Sequence, residues 1–192
     1  MEKKKEAKGK TKKPATKRLT RKRATKKDNV PEEEKAFFGA GCFWNVEEAF
    51  RRLKGVKETV VGYMSADESK SKKYPNPTYH QVCSDRTGFV ETTEVVFNPQ
   101  KISYEKLLKV FWKIHDPTQM NRQGPDVGSQ YKSMIFFANP KQKREAEISK
   151  KKEQIEKYEK IVTEIKKAGK FYRAEDYHQK YLMKRGLKTC RI

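Results

Sequence analysis

Residues 35–53 read KAFFGAGCFWNVEEAFRRL, and this stretch decides how the first part of the fold is built. An apolar strand runs to Phe38 and is interrupted by glycines, after which the apolar spacing from Val46 to Leu53 is typical of a helix. Cys42 falls at the junction, so we expect it to cap the helix N-terminus. The unpaired N–H groups and the positive dipole end of that first turn stabilise anions, and the thiol should therefore ionise more readily than an ordinary cysteine.

A thiol in that position is a candidate nucleophile. The next two residues, Phe43 and Trp44, are expected to line a small aromatic pocket that suits an apolar group such as a methyl and shields the reacting atom from water. The alternative interpretation is a buried structural cysteine at a strand-to-helix turn, because cysteine is among the most buried residue types.

The composition divides the chain into two parts. Residues 1–30 hold 14 Lys and Arg against three acidic residues, a net charge of +11, and contain no aromatic residue. We expect this segment to be a disordered basic tail and residues 31–192 to form one domain. The tail lacks the apolar core of a secretory signal, and no window approaches the roughly 18 apolar residues of a membrane helix. The prediction is a protein of the cytoplasm without a membrane partner.

The three cysteines, Cys42, Cys83 and Cys190, have no C-x-x-C spacing, so neither a zinc ribbon nor a paired redox dithiol is indicated. A sparse, odd set points to reduced thiols in a reducing compartment. The three histidines, His80, His115 and His178, have no ligand-like spacing to one another or to the cysteines, so we predict no metal site. We assign none of them a catalytic role, and we expect the protein to need no cofactor.

The rest of the chain alternates strands and helices. The predicted strands cover 35–38, 56–63, 87–97, 131–137 and 161–165, and the predicted helices cover 42–54, 103–116, 141–160 and 174–184, with irregular loops at 64–79 and 116–128. In the third helix, Ile148, Ile155 and Tyr158 are expected to face the core. The order β-α-β-β-α-β predicts an α+β fold with a two-layer split βαβ core, the ferredoxin-like plait, extended by long loops and C-terminal elements.

Four separated blocks resemble the A-type peptide methionine sulfoxide reductases, in that family's order and across nearly all of residues 35–190. They read GAGCFWNVEEAF, NPTYHQVCSDRTGFVETTEVVFNP, ISYEKLLKVFWKIHDPTQMNRQGPDVGSQYKSMIFF and FYRAEDYHQKYL. The resemblance implies reduction of the S epimer of methionine sulfoxide, free or in proteins, and hence repair of oxidised proteins. It assigns the attack on the sulfoxide sulfur to Cys42.

The resemblance also implies the groups that handle the sulfoxide oxygen. It places the family's carboxylate at Glu91, where a carboxylic acid with a raised pKa would protonate the very basic leaving oxygen. It places phenolic hydrogen-bond donors at Tyr79 and Tyr131, and a further polar pocket residue at Asp126. Taken without the family, Glu91 is a solvent-face strand residue and both tyrosines are half-buried core residues.

Turnover needs a second thiol, because reduction of the sulfoxide leaves Cys42 as a sulfenic acid that a nearby thiol condenses to a disulfide. The family's usual recycling position is Cys190, and the seven residues from Lys184 to Cys190 span at most about 23–25 Å. A thioredoxin-like dithiol would then reduce that disulfide by exchange. Cys83 is the second candidate for the resolving thiol.

Two competing classes of function remain open at this stage. A run of cations binds phosphate backbones by counterion release without any fold, so the chain is alternatively a nucleic-acid-associated protein with a non-catalytic thiol. Against this, residues 1–30 have no aromatic residue to stack on bases, and any contact there is expected to be nonspecific. A structural thiol protein is the third class.

Overall fold

The computed structural model describes residues 1–2 and 31–188, so the predicted basic tail lies almost wholly outside the described residues and the boundary near residue 31 stays a prediction. The described elements are β1 (Glu34–Ala40), α1 (Phe43–Arg51), β2 (Val56–Met64), α2 (Glu68–Lys73), α3 (Tyr79–Cys83), β3 (Val90–Phe97), α4 (Tyr104–Lys113), β4 (Arg122–Gln123), β5 (Asp126–Val127), β6 (Ser133–Phe137), α5 (Pro140–Glu156), β7 (Glu164–Lys167), β8 (Phe171–Arg173) and α6 (Tyr181–Lys184).

Six of the strands form one sheet in the order β7-β6-β1-β3-β2-β8. Neighbouring strands are antiparallel except β6 and β7, which run parallel. The short strands β4 and β5 pair separately as a two-stranded ribbon. The predicted mixed α+β class is therefore confirmed.

Helices α1, α4 and α5 pack on one face of this sheet through aromatic and aliphatic side chains. Phe38 of β1 stacks on Phe50 of α1 and on Phe111 of α4, with ring centroids 4.8 Å and 5.4 Å apart. All three rings are fully buried, and burying a side chain of this size contributes roughly 1.5–3 kcal/mol. The alternation of β1 therefore places Phe38 on this face of the sheet and Phe37 on the other.

Helix α5 contradicts the prediction that its large apolar residues face the core. Three of them are solvent-exposed, at 54%, 85% and 105% of their reference surface, and the last lies beyond the end of the helix: Ile148, Ile155 and Tyr158. The helix instead buries Gln142 and Ala146. The Gln142 side chain donates to the Lys35 carbonyl at 2.9 Å, so α5 docks through a small residue and a hydrogen-bonded amide rather than through an apolar stripe.

The irregular loop predicted over 64–79 is also wrong in part, because it contains α2. Asp67 caps this helix by accepting a hydrogen bond from the Ser69 N–H at 2.9 Å. The lysine-rich composition of the segment is typical of a loop, although Asp67 is a capping residue. No residue of α2 is buried.

The predicted helix 174–184 is helical only in α6, since tertiary contacts hold the preceding residues in turns. The Gln179 side chain bonds both the N–H and the carbonyl of Val61 in β2. Lys180 adopts a left-handed φ of 52°, and its N–H donates to Glu47 of α1 at 2.7 Å. The C-terminal segment is therefore bound to both β2 and α1, the helix that begins directly after Cys42.

The second face of the sheet carries its own apolar cluster. Phe37 and Met64 belong to a buried cluster there, and Phe171 of β8 packs against it. Gly62 allows β8 to approach β2, because a Cβ at that position would lie 2.3 Å from the carbonyl oxygen of Tyr172. Among the described residues, no helix is long and apolar enough to cross a membrane.

Candidate active site

Cys42 occupies the N-cap position of α1, as the sequence predicts, and its side chain is half-buried. The preceding Gly41 has a φ of +84°, and a Cβ there would lie 2.7 Å from the side chain of Gln123. Only glycine makes this turn without strain and without displacing Gln123. Gly41 therefore allows the chain to pass from β1 into the turn that places Cys42 at the helix N-terminus.

Glu91 lies directly against this helix terminus. It comes from β3, is 2% exposed, and its Oε2 accepts a hydrogen bond from the Phe43 N–H at 3.0 Å. Burial raises the pKa of Glu91 to about 8; the Phe43 hydrogen bond lowers it and the negative charge of Asp126 raises it further. The carboxyl therefore holds a proton at neutral pH, beside the residue that follows Cys42.

Tyr79 and Cys83 lie together on α3. Thr78 forms a capping box with Gln81, which fixes the start of this short helix. The Tyr79 hydroxyl contacts the Cys83 thiol, and burial followed by this contact raises the pKa of Tyr79. Burial also raises the pKa of Cys83, although the Tyr79 hydrogen bond opposes the shift, so this thiol is poorly ionised.

Tyr131 lies within electrostatic range of both Tyr79 and Cys83. It ends a short 3-10 helix that follows β5, and the Ser129 N–H in that turn donates to Asp85 at 2.9 Å. Burial raises the pKa of Tyr131, and negative charge on four surrounding groups adds to the shift: Glu91, Cys83, Asp126 and Cys42. The structure therefore brings Tyr131 within electrostatic range of every one of these groups.

Asp126 is half-buried in β5, and burial raises its pKa as well. It acts electrostatically on both Glu91 and Tyr131. Two carboxyl groups with raised pKa values and two phenols thus face one region that also holds a thiol at a helix N-terminus. This combination of proton donors and a nucleophile supports general acid chemistry on an oxygen bonded to an electrophilic atom.

Phe43 and Trp44 differ in their exposure. Phe43 is 1% exposed and packs between Tyr63 and His178, with ring centroids 5.9 Å and 5.1 Å away. Trp44 is half-buried and stacks flat on Tyr181, with 3.7 Å between centroids and 4° between planes. The aromatic surface beside Cys42 therefore includes more rings than the two that the sequence predicts.

Comparison with known proteins identifies the family. A family model described as peptide methionine sulfoxide reductase matches residues 34–192. The chain belongs to this family. A peptide methionine sulfoxide reductase MsrA from Geobacter metallireducens is 52% identical to it over 165 residues, covering 85% of this chain and 98% of the relative. The chain is accordingly an oxidoreductase, a peptide methionine sulfoxide reductase.

Two solved structures have the same architecture as this chain. Mxr1 from Saccharomyces cerevisiae in reduced form superimposes with a TM-score of 0.75 at 37% identity, covering 81% of this chain and 87% of its own. Methionine sulfoxide reductase A of Corynebacterium diphtheriae gives a TM-score of 0.71 at 36% identity, covering 84% and 79% of the two chains.

Sequence reasoning missed three residues that support the site of this reductase. Tyr63 pairs with Glu91 in the register of β2 and β3, and its hydroxyl donates to Glu175 Oε2 at 2.9 Å. The Tyr79 N–H donates to the other oxygen of Glu175 at 2.9 Å. Burial opposes ionisation of Glu175, but these hydrogen bonds outweigh it and lower the pKa. His178 is the third, and the fourth block of the family resemblance, AEDYHQKYL, was the signal for both Glu175 and His178.

Cys190 lies outside the described residues, so its predicted recycling role stays a prediction. Within the described ranges, no group of three or more His, Cys, Asp and Glu side chains is arranged to hold a metal ion. A groove of about 1050 Å³ lies between α4 and α5, and none of the candidate site residues lines it.

Proposed function

We propose that this peptide methionine sulfoxide reductase acts through the Cys42 thiolate, which attacks the sulfoxide sulfur while Glu91 delivers a proton to the oxygen. The single observation that carries this proposal is the hydrogen bond from the Phe43 N–H to Glu91 Oε2. It joins a buried, protonated carboxyl to the helix terminus that Cys42 caps. A thiolate and a proton source at one point are what the step requires.

The chemical step transfers two electrons from Cys42 to the sulfoxide and the sulfoxide oxygen to Cys42. The Cys42 thiol gives up two electrons and becomes a sulfenic acid, and the substrate sulfoxide gains them and becomes the methionine thioether. The sulfoxide oxygen leaves methionine and ends on Cys42 Sγ. Because that oxygen is very basic as it leaves, protonation by Glu91 lowers the barrier. Tyr79 and Tyr131 hold the oxygen by hydrogen bonds, and Asp126 supports the raised pKa of Glu91.

Phe43 and Trp44 form the apolar wall for the substrate methyl group in this proposal. Their position directly after Cys42 supports it, since an apolar surface there contacts a group bonded to the sulfur under attack. A chiral arrangement, with the methyl on one side and the oxygen donors on another, selects one epimer at sulfur. We infer that the selected one is the S epimer, for substrates free or in proteins.

The experiment is to incubate the protein with a racemic mixture of free methionine sulfoxide epimers and dithiothreitol. The consumed and remaining epimers are separated by chromatography. Consumption should stop at half of the substrate, and the remainder should be the R epimer alone. The Cys42→Ser variant serves as the matched control and should consume none. Consumption of both epimers, or of the R epimer, contradicts the proposed stereochemistry.

Recycling follows from the oxidised product. We propose that Cys190 condenses with the Cys42 sulfenic acid to give a disulfide and water, and that a thioredoxin-like dithiol reduces the disulfide. Cys83 ranks second, because burial raises its pKa and leaves it mostly as the thiol. Repair of oxidised proteins is the role that this cycle serves.

We also propose a fold subtype, a cellular compartment and a role for the basic tail. The central order β6-β1-β3-β2, with antiparallel neighbours, supports the ferredoxin-like plait. The small, odd number of cysteines supports a location in the reducing environment of the cytoplasm. The +11 charge of residues 1–30 supports a nonspecific contact with nucleic acid, in addition to the reductase activity and not in place of it.

A further inference from the structure

His178 makes a directed contact with Trp44 that the proposed chemistry does not use. It is 2% exposed and comes from the C-terminal segment, 134 residues away from Trp44 in sequence. The Trp44 indole Nε1–H donates to His178 Nδ1 at 3.1 Å. Because an indole nitrogen can only donate, Nδ1 must carry its lone pair, and the proton of the neutral ring is on Nε2.

The His178 ring is enclosed by aromatic side chains from three parts of the chain. Its centroid lies 5.1 Å from that of Phe43, 4.7 Å from that of Tyr79 and 4.1 Å from that of Tyr177. Burial lowers the pKa of His178, and the nearby carboxylate of Glu175 opposes this shift. The imidazole therefore stays neutral at pH 7 and keeps the lone pair that the indole needs.

The second ring nitrogen of His178, Nε2, has no hydrogen bond comparable to that of Nδ1 among the described residues. His178 Nε2 is buried without a hydrogen-bond partner among the described residues, and it lies 4.0 Å from Glu175 Oε2, too far for a hydrogen bond. The interaction with Trp44 is thus the hydrogen bond that the structure gives this imidazole. A buried histidine with one nitrogen unsatisfied carries a cost that a purely structural side chain would avoid.

Trp44 is restrained in two independent ways. Tyr181 stacks on its face, with 4° between the planes, and Arg185 covers the other side of Tyr181 at 3.7 Å. Stacking fixes the plane of the indole but leaves rotation within that plane weakly restrained. The hydrogen bond to His178 Nδ1 removes that rotation, because it fixes where the indole N–H points.

We propose that His178 is a positioning residue that sets the orientation of Trp44, and through it the wall against which the substrate methyl group packs. This inference rests on the proposed function for the role of Trp44. On this proposal the block AEDYHQKYL binds α1 and orients Trp44, two residues after Cys42. Because the wall contacts the methyl group in both substrate and transition state, its loss should raise KM more than it lowers the single-turnover rate.

The test uses a matched pair of amide variants. His178→Asn places a carbonyl oxygen near the position of Nδ1, whereas His178→Gln places it near that of Nε2. Both are polar and differ by one methylene, so a general effect of losing the imidazole acts on both. His80→Gln, which replaces an exposed histidine on α3, is the control and should match wild type.

Two readouts are taken for each variant. The first is the NMR resonance of the Trp44 indole N–H, assigned by its absence in Trp44→Phe. The second is KM and single-turnover rate with free methionine sulfoxide and dithiothreitol. We expect His178→Gln to shift the indole resonance and raise KM about tenfold or more, and His178→Asn to retain most of the wild-type behaviour. In a Trp44→Phe background, exchanging Asn for Gln at position 178 should change KM less than twofold.

Three results would overturn the proposal. If the Trp44 indole N–H has the same chemical shift in wild type, His178→Asn and His178→Gln, His178 does not hold Trp44. Equal loss of activity in both amide variants assigns the effect to the imidazole itself. An Asn-to-Gln difference that persists in the Trp44→Phe background means that His178 acts through another group. The resonance does not depend on turnover, so a failure of the proposed function, with wild type inactive, is distinguishable from a failure of this inference.

Discussion

The backbone N–H of Phe43 donates to Glu91 Oε2 at 3.0 Å, so the carboxyl that β3 supplies is fastened to the first turn of the helix that Cys42 caps. The two residues are 48 positions apart in the chain. This contact places the proposed acid beside the proposed nucleophile.

Replacing Cys42 by Ser should abolish reduction of methionine sulfoxide with dithiothreitol and with a thioredoxin system alike. A neutral hydroxyl is a far weaker nucleophile toward sulfur than a thiolate. The measurement is methionine formed per enzyme in a single turnover. Cys83→Ser is the matched control and should form one equivalent as wild type does. Methionine formation by Cys42→Ser would exclude the proposed mechanism.

Replacing Glu91 by Gln keeps the shape of the side chain and removes the transferable proton. General acid groups contribute roughly 10²–10⁴-fold, and we expect the single-turnover rate to fall within that range. Rapid-quench kinetics at pH 7 measure it. Glu94→Gln, on the same strand and ion-paired with Lys35, is the control for a lost carboxylate on β3. A decrease of less than about tenfold would assign the proton to another group.

The raised pKa of Glu91 also predicts how stability depends on pH. In the unfolded chain the carboxyl ionises near its ordinary value of 4.5, but in the folded protein burial holds its proton until about pH 8. Between these values the folded state binds more protons, so stability falls as pH rises. Glu91→Gln has no such carboxyl, so its Tm relative to that of wild type should increase from pH 5 to pH 8. A constant Tm difference over this interval would show that Glu91 is ionised in the folded protein.

The two candidate resolving thiols can be separated by substitution. Cys190→Ser should reduce one equivalent of sulfoxide, since the first step needs only Cys42, and should then stall with thioredoxin because no disulfide forms. Cys83→Ser should turn over like wild type, because burial keeps this thiol protonated. Steady-state turnover with thioredoxin measures the difference. If Cys83→Ser is the variant that stalls, the recycling role belongs to Cys83.

Deleting residues 1–30 removes a net charge of +11 but none of the described site residues. Turnover of free methionine sulfoxide and Tm should therefore change little. Binding to nucleic acid at low salt should weaken sharply, as a fluorescence-polarisation assay with a short labelled duplex measures. Loss of activity in the shortened protein would mean that the domain begins before residue 31.

Local patterns in the sequence predicted the parts of the fold that depend on neighbouring residues. The strand, the glycine turn and the helix around Cys42 follow from residues 35–53 alone. The same reasoning was wrong for Ile148 and Ile155 of α5, which are exposed. Periodicity indicates that a helix has an apolar side but not whether another element covers that side.

The sequence by itself determined which residue is the thiol at a helix N-terminus and, through the family resemblance, which residues to look for beside it. Only the tertiary structure decided that Glu91 is buried enough to keep its proton and that His178 bonds Trp44. Both depend on contacts between positions 48 and 134 residues apart. Desolvation and hydrogen-bond geometry arise when distant segments pack together, and no short stretch of sequence specifies them.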